Sequence, residues 1–339
     1  MRDDTRTSAA FERMARPQER VVKAAQEEET AGITLELVDH YKKITGNDIA
    51  PTEVLKHLAH SDVKIYGEQS AAAQESHAQD ALDMSELAPQ ELKLPMLFHD
   101  IGKAGPDHTD LRLSRLVANM YAYNFPYKDR GRSPKEVGIT EFLESMIEHV
   151  PGLKAASLDS KENFILRLVN MLKLPDDASM RDFYDAHIQW GVDLQEKSQF
   201  IDKPTAFAAF GHHILPGVMP WDIEAIRSGK KQMGHGIAPF IREFVPSLED
   251  IKLAAGAQTL DYCNARFTRS DTAVADAAKQ TRDALFFAID NGGYTQLVDT
   301  YKEEGVEIAL TEDDILEIKK YIEKILAEYQ RHIEESEKL

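Results

Sequence analysis

Cysteine is nearly absent. Cys263 stands alone among 339 residues, which excludes an intramolecular disulfide and any Cys-rich zinc knuckle. No apolar run approaches the ~18 residues of a membrane-spanning helix, and the charged stretch from Met1 to Arg20 lacks the apolar core of a secretion signal. A cytoplasmic protein with no membrane partner is the expectation. Positive charge is also scarce. The 40 Lys and Arg face 58 Asp and Glu, and the formal charge of −18 disfavours binding to the phosphate backbone of long nucleic acids. A chain of this charge that handles phosphate must gather positive charge locally, from metal ions or from the basic cluster Lys128, Arg130, Arg132 and Lys135, whose usual role is a solvated loop. Strand-like alternation is almost missing, there are no internal repeats, and Asn291-Gly292-Gly293 follows no strand. It reads as a turn, not as a phosphate-cradling loop.

What the chain does have is helical periodicity over a length that can bury a large core, so the expected fold class is all-α. Helices are expected at 11–28 and 34–45, followed by the turn Gly46-Asn47-Asp48. Pro51 opens another helix, running from Thr52 to about Gln74. A further helix carries His77, Ala81, Leu82 and Met84. Pro89 suits the first turn of the next helix, which ends in His99 and Asp100 and which Pro95 is expected to kink. From 105 to 179, Pro126, Gly131, Pro134, Pro151 and Pro175 cut the chain into short pieces such as 111–123 and 141–150. This stretch reads as an inserted lid or subdomain. At the far end, 311–339 is a charged amphipathic helix with Ile315, Ile318, Ile322 and Leu326, which packs on the domain or on a partner, a second copy of the chain included. The expected division is N-terminal helices at 1–59, a catalytic domain at 60–290 and a C-terminal extension at 291–339.

Chemistry concentrates in Phe98-His99-Asp100-Ile101-Gly102-Lys103. An adjacent His and Asp supply an imidazole and a carboxylate to a divalent cation. On a helix they project about 100° apart, and the second carboxylate oxygen is free to bridge to another ion. Lys103 lies one turn on, where it meets an anion held by the metal or simply complements a helix end closed by Gly102 or Gly105. Two antiparallel helices joined near residue 88 place His77 opposite His99, with His60 as the alternative. His187, the doublet His212-His213 and Asp261 complete the candidate ligands.

A His, then His-Asp, then a distant Asp resembles the HD-domain metal-dependent phosphohydrolases, and His99-Asp100-Ile101-Gly102-Lys103 is similar to their signature. The HD-GYP subfamily is the closer likeness: His187-Ile188-Gln189-Trp190-Gly191 with Leu194, the His212-His213 doublet about two dozen residues later, and Asp261-Tyr262-Cys263-Asn264-Ala265 all resemble its segments, over about residues 60–290. The chain departs in its long interval from Asp100 to His187, in Ile214 where an acidic residue follows the doublet, in Asn264 for Asp, and in Ile214-Leu215-Pro216-Gly217-Val218-Met219-Pro220 where Gly-Tyr-Pro is expected. These departures alter the loop that shapes the cyclic-dinucleotide pocket. The resemblance implies an HD-type helical bundle with two divalent metals, iron or manganese before zinc. One is held by His77, His99, Asp100 and Asp261, and the other by His187, His212 and His213, with Asp100 bridging. It implies a phosphodiesterase for a cyclic dinucleotide or related nucleotide, in which the metals activate water for in-line attack and Lys103 adds charge at the scissile phosphate. A mononuclear nucleotide phosphatase, a catalytically idle nucleotide or metal sensor, and an iron oxygenase are the alternatives.

Overall fold

The computed structural model describes residues 32–47, 50–60, 77–106, 117–118, 120–121, 123, 125, 131–149, 161–268 and 272–336. The fold is all-α. Among the described residues there is no strand, only a single bridge between Gly138 and Ser179. The expected segment 11–28, all of 61–76 and the bases Lys128 and Arg130 lie outside the described residues.

Helix α1 covers 32–45 and ends at Gly46, whose φ of +68° favours glycine. Helix α2 (Thr52–His60) follows Pro51, and α3 (His77–Leu87) forms a hairpin with α4 (Lys93–Phe98) through a 3-10 turn that Pro89 caps. Pro95 does not kink α4. The helix begins only at Lys93, so Pro95 sits in the first turn, where its missing N–H leaves no intrahelical bond unmade. Nor does the helix reach His99 and Asp100. It gives way there to a second 3-10 turn, Ile101–Ala104, closed by Gly105 at φ +93°.

Helices α5 (Ile139–His149) and α6 (Lys161–Leu172) pack with the first half of α7 (Met180–Ser198) around an apolar cluster of their own, centred on Phe142, Phe183 and Met146. The second half of α7, together with α8 (Lys203–Phe210), joins the larger core. Short α9 (Ile223–Arg227) leads to α10 (Leu248–Thr268), α11 (Val274–Asp290), α12 (Thr295–Glu303) and α13 (Glu312–Ser336). Three of the long helices start alike. Ser179 with Asp182, Ser247 with Asp250 and Thr311 with Asp314 exchange side-chain and backbone bonds, satisfying N–H groups that a helix start leaves open. Gly292, at φ +79°, makes the expected turn after α11.

The stripe on α13 is spent within the chain. Ile318, Ile322, Ile325, Leu326, Tyr329 and Ile333 are buried against α10 and α11, each removing apolar surface worth about 1.5–3 kcal/mol from water. No helix among the described residues is long and apolar enough to cross a membrane.

Candidate metal centre

Close backbone approach is what assembles the site. The 3-10 turn Ile101–Ala104 lies on α7, and a Cβ on Gly102 would stand 1.8 Å from the His187 carbonyl oxygen. Gly191 lets the Phe210 ring of α8 press onto α7, and Gly211 brings the end of α8 against Ala254 of α10. Three glycines thus draw together the elements that carry His99, Asp100, His187, His212 and Asp261.

His99, His187 and His212 are held in one way. Each directs Nδ1 at 2.7 Å to the backbone carbonyl three residues earlier, that of Met96, Tyr184 and Ala209 respectively. A carbonyl oxygen only accepts, so Nδ1 carries the proton in each neutral ring and Nε2 presents its lone pair. All three rings are buried, as is Asp100.

The Nε2 atoms converge on Asp100. Its Oδ1 lies 3.7 Å from His187 Nε2 and 3.5 Å from His212 Nε2, and those two nitrogens are 3.3 Å apart. Its Oδ2 lies 3.4 Å from His99 Nε2 and accepts from Lys103 Nζ. Lone pairs facing one another at these separations repel unless a cation lies between them. Two donors bound ~2.1 Å from one ion and roughly 90–110° apart are separated by ~3.0–3.4 Å. The triangle of His187 Nε2, His212 Nε2 and Asp100 Oδ1 is close to one face of such a coordination shell. The all-N/O donor set, with no thiolate, suits iron, manganese or zinc.

His213 belongs to the same group. Its ligating atom lies within 4.8 Å of those of His187 and His212, and its Nδ1 is 3.5 Å from the Tyr262 hydroxyl. Asp261, half-buried on α10, lies near enough to His99 for its charge to favour protonation of that ring. His77 is the first residue of α3 and His60 the last of α2. Their side chains lie outside the described residues.

The expected helical setting of His99 and Asp100 is corrected: both lie past the end of α4, where the chain passes into a 3-10 turn, and His99 Nε2 and Asp100 Oδ2 stand 3.4 Å apart. The doublet is not helical either. It follows the end of α8 at Gly211, and its rings lie 4.3 Å apart, both close to His187.

Burial sets the electrostatics. Desolvation lowers the pKa of His99, His187 and His213, keeping the rings neutral and ready to ligate. Burial alone would raise the Asp100 carboxyl, but the Lys103 ammonium beside it holds it well below the usual carboxylate range. The carboxylate is therefore ionised wherever the imidazoles are neutral.

Several supporting residues carried no signal in the sequence. Tyr121, from the segment before α5, donates its hydroxyl to the Phe183 carbonyl and lays its ring edge-on to His187, 6.0 Å between centroids. The segment expected as an insertion therefore walls the site. Gln258 of α10 brackets Leu215, donating to its carbonyl and accepting from its N–H, and fixes the loop after the doublet. Ile214, the departure from the acidic pattern, is fully buried in the core, and Asn264 accepts a bond from Tyr329 of α13 instead of facing the imidazoles. Arg132, from the basic cluster, is engaged by Glu141.

No family model matches the chain, and no curated protein or solved structure is significantly similar to it.

Proposed function

We propose that this protein is a metal-dependent phosphohydrolase of HD type, a phosphodiesterase acting on a cyclic dinucleotide or a related nucleotide in the cytoplasm. One observation carries the reading: a single buried carboxylate turns one oxygen to His187 and His212 and the other to His99, the disposition of a carboxylate that bridges two cations. His187, His212 and His213 would hold one ion, and His77, His99 and Asp261 the other, with Asp100 shared. Divalent metal in such a site supplies Lewis acidity, activating water and neutralising phosphoryl oxygens.

The chain's own groups complete the chemistry. The three backbone-anchored imidazoles fix the direction of their Nε2 lone pairs before any ligand arrives, which limits reorganisation during reaction. Lys103, at Asp100 and partly exposed, has a mobile ammonium that can transfer from the carboxylate to a phosphoryl oxygen and favour the more negatively charged transition state. Tyr121 and the apolar cluster behind it exclude water from the imidazole side, which strengthens each of these interactions. His213, Lys103 and Asp261 are the less buried members of the group.

The test is elemental analysis of anaerobically purified protein, followed by hydrolysis of bis(p-nitrophenyl) phosphate and of a panel of cyclic dinucleotides. Two metals per chain and a turnover lost in Asp100→Ala are expected. Metal-loaded protein that binds nucleotide without turning it over would overturn the enzymatic reading.

A further inference from the structure

Four imidazoles crowd the metal centre, and three of them are anchored alike. His99, His187 and His212 each donate Nδ1–H to a backbone carbonyl at 2.7 Å. His213 does not share that arrangement. It is the least buried of the four, and the group its Nδ1 faces is the Tyr262 hydroxyl, 3.5 Å away. A histidine that ligates through one ring nitrogen needs a partner for the other, which fixes the tautomer and the direction of the free lone pair.

One stripe of α10 supplies that partner and holds it still. Gln258, Tyr262 and Arg266 stand at successive four-residue steps, on one face of the helix. All three reach the segment that carries the doublet. Gln258 brackets the Leu215 backbone through hydrogen bonds of 2.9 and 2.8 Å. Arg266 donates to the Val218 carbonyl and to that of Tyr262, and its guanidinium lies 5.5 Å from the centroid of the Tyr262 ring. Tyr262 stands between these two grips.

Gly217 makes room for the phenol. A Cβ at that position would lie 3.1 Å from the Tyr262 hydroxyl oxygen, closer than ordinary contact, and among the described residues the phenol is all that it would meet within 4 Å. No left-handed φ asks for glycine there. The space is kept for the hydroxyl.

We infer that Tyr262 is a positioning residue of the metal centre: its hydroxyl oxygen accepts the Nδ1–H of His213 and turns the Nε2 lone pair of that ring toward the ion shared with His187 and His212. The inference rests on reading these imidazoles as metal ligands, and it is independent of the reaction they serve. At 3.5 Å the bond is long. The less buried His213 ring is the partner that turns to close it, while the phenol, gripped on both sides, stays in place.

Manganese titrations of the full-length protein, with the free ion counted by electron paramagnetic resonance, test the inference. Tyr262→Phe keeps the ring and its packing and removes only the hydroxyl. It weakens one class of bound manganese about tenfold, while the Tm of the metal-free protein moves by no more than ~3 °C. In a His213→Ala background the same substitution costs no further affinity, because the residue it acts through is gone. Tyr329→Phe, which removes another hydroxyl bonded to α10, leaves manganese affinity unchanged. The inference alone is overturned if the native chain binds manganese and Tyr262→Phe matches it, if the loss is as large without His213 as with it, or if Tyr329→Phe weakens binding as much. A native chain that binds no manganese would end the metal-centre reading and this inference together.

Discussion

Replacing Gly102 by alanine adds one methyl group at the tightest contact around the metal centre. The new Cβ would lie 1.8 Å from the His187 carbonyl oxygen, 2.8 Å from its carbonyl carbon and 2.9 Å from the Gly191 nitrogen, all backbone atoms of α7 that cannot rotate away. Ordinary contact begins near 3.4 Å, so the turn must retreat by about 1.6 Å. Carried two residues back to Asp100, that retreat opens the 3.7 Å separation from His187 to roughly 5 Å, beyond the ~3.0–3.4 Å that two ligands of one ion share. Overpacking of this kind costs about 1–3 kcal/mol, or several degrees in Tm, and a displaced ligand set loses ~10–100-fold in metal affinity. Calorimetric melts and manganese titrations of Gly102→Ala read both quantities. Gly138→Ala serves as the control, because nothing lies within 4 Å of its Cβ position. A Gly102→Ala protein that melts and binds manganese like the native one would refute the reasoning.

Other consequences concern position 264 and acid stability. Asn264 faces Tyr329, so Asn264→Asp leaves manganese affinity within about twofold, whereas Tyr329→Phe costs ~1 kcal/mol of stability at unchanged metal affinity; a tenfold gain in affinity or turnover from Asn264→Asp would count against this placement. In EDTA-treated protein, burial depresses the pKa values of His99, His187 and His213 from the ordinary 6.5. The folded chain then binds fewer protons than the unfolded chain in the window below 6.5, so stability is complete above that pH and declines as pH falls toward the lower folded values. Melts of metal-free protein between pH 8 and 5 should show Tm dropping below about 6.5, and a flat or rising profile would contradict the burial of neutral imidazoles.

The all-α class was legible because helical periodicity is a local property: α1, α5 and α13 lie near the expected 34–45, 141–150 and 311–339, and α2 begins at Thr52, directly after Pro51. Adjacent pairs were harder. His99-Asp100 and His212-His213 both sit just past a helix end, where the ideal ~100° between helical neighbours no longer applies. Pro95 was misread for a related reason, since its effect depends on where the helix begins, a boundary that propensity alone does not fix. Tyr121 and Gln258 reach the site through tertiary packing across long sequence separations, and nothing in their immediate neighbours signals it. Gly102 is the instructive middle case. It stands in a recognisable segment and could be taken for a helix cap, yet what it provides is room for the His187 carbonyl.

Anomalous diffraction from crystals of the manganese-loaded protein addresses the central claim most directly. A peak ~2.0–2.2 Å from His187 Nε2, His212 Nε2 and Asp100 Oδ1, with a second beside His99 and Asp100 Oδ2, is the predicted result. Manganese bound elsewhere, or those imidazoles turned so that Nδ1 no longer meets the carbonyls of Tyr184 and Ala209, would contradict it.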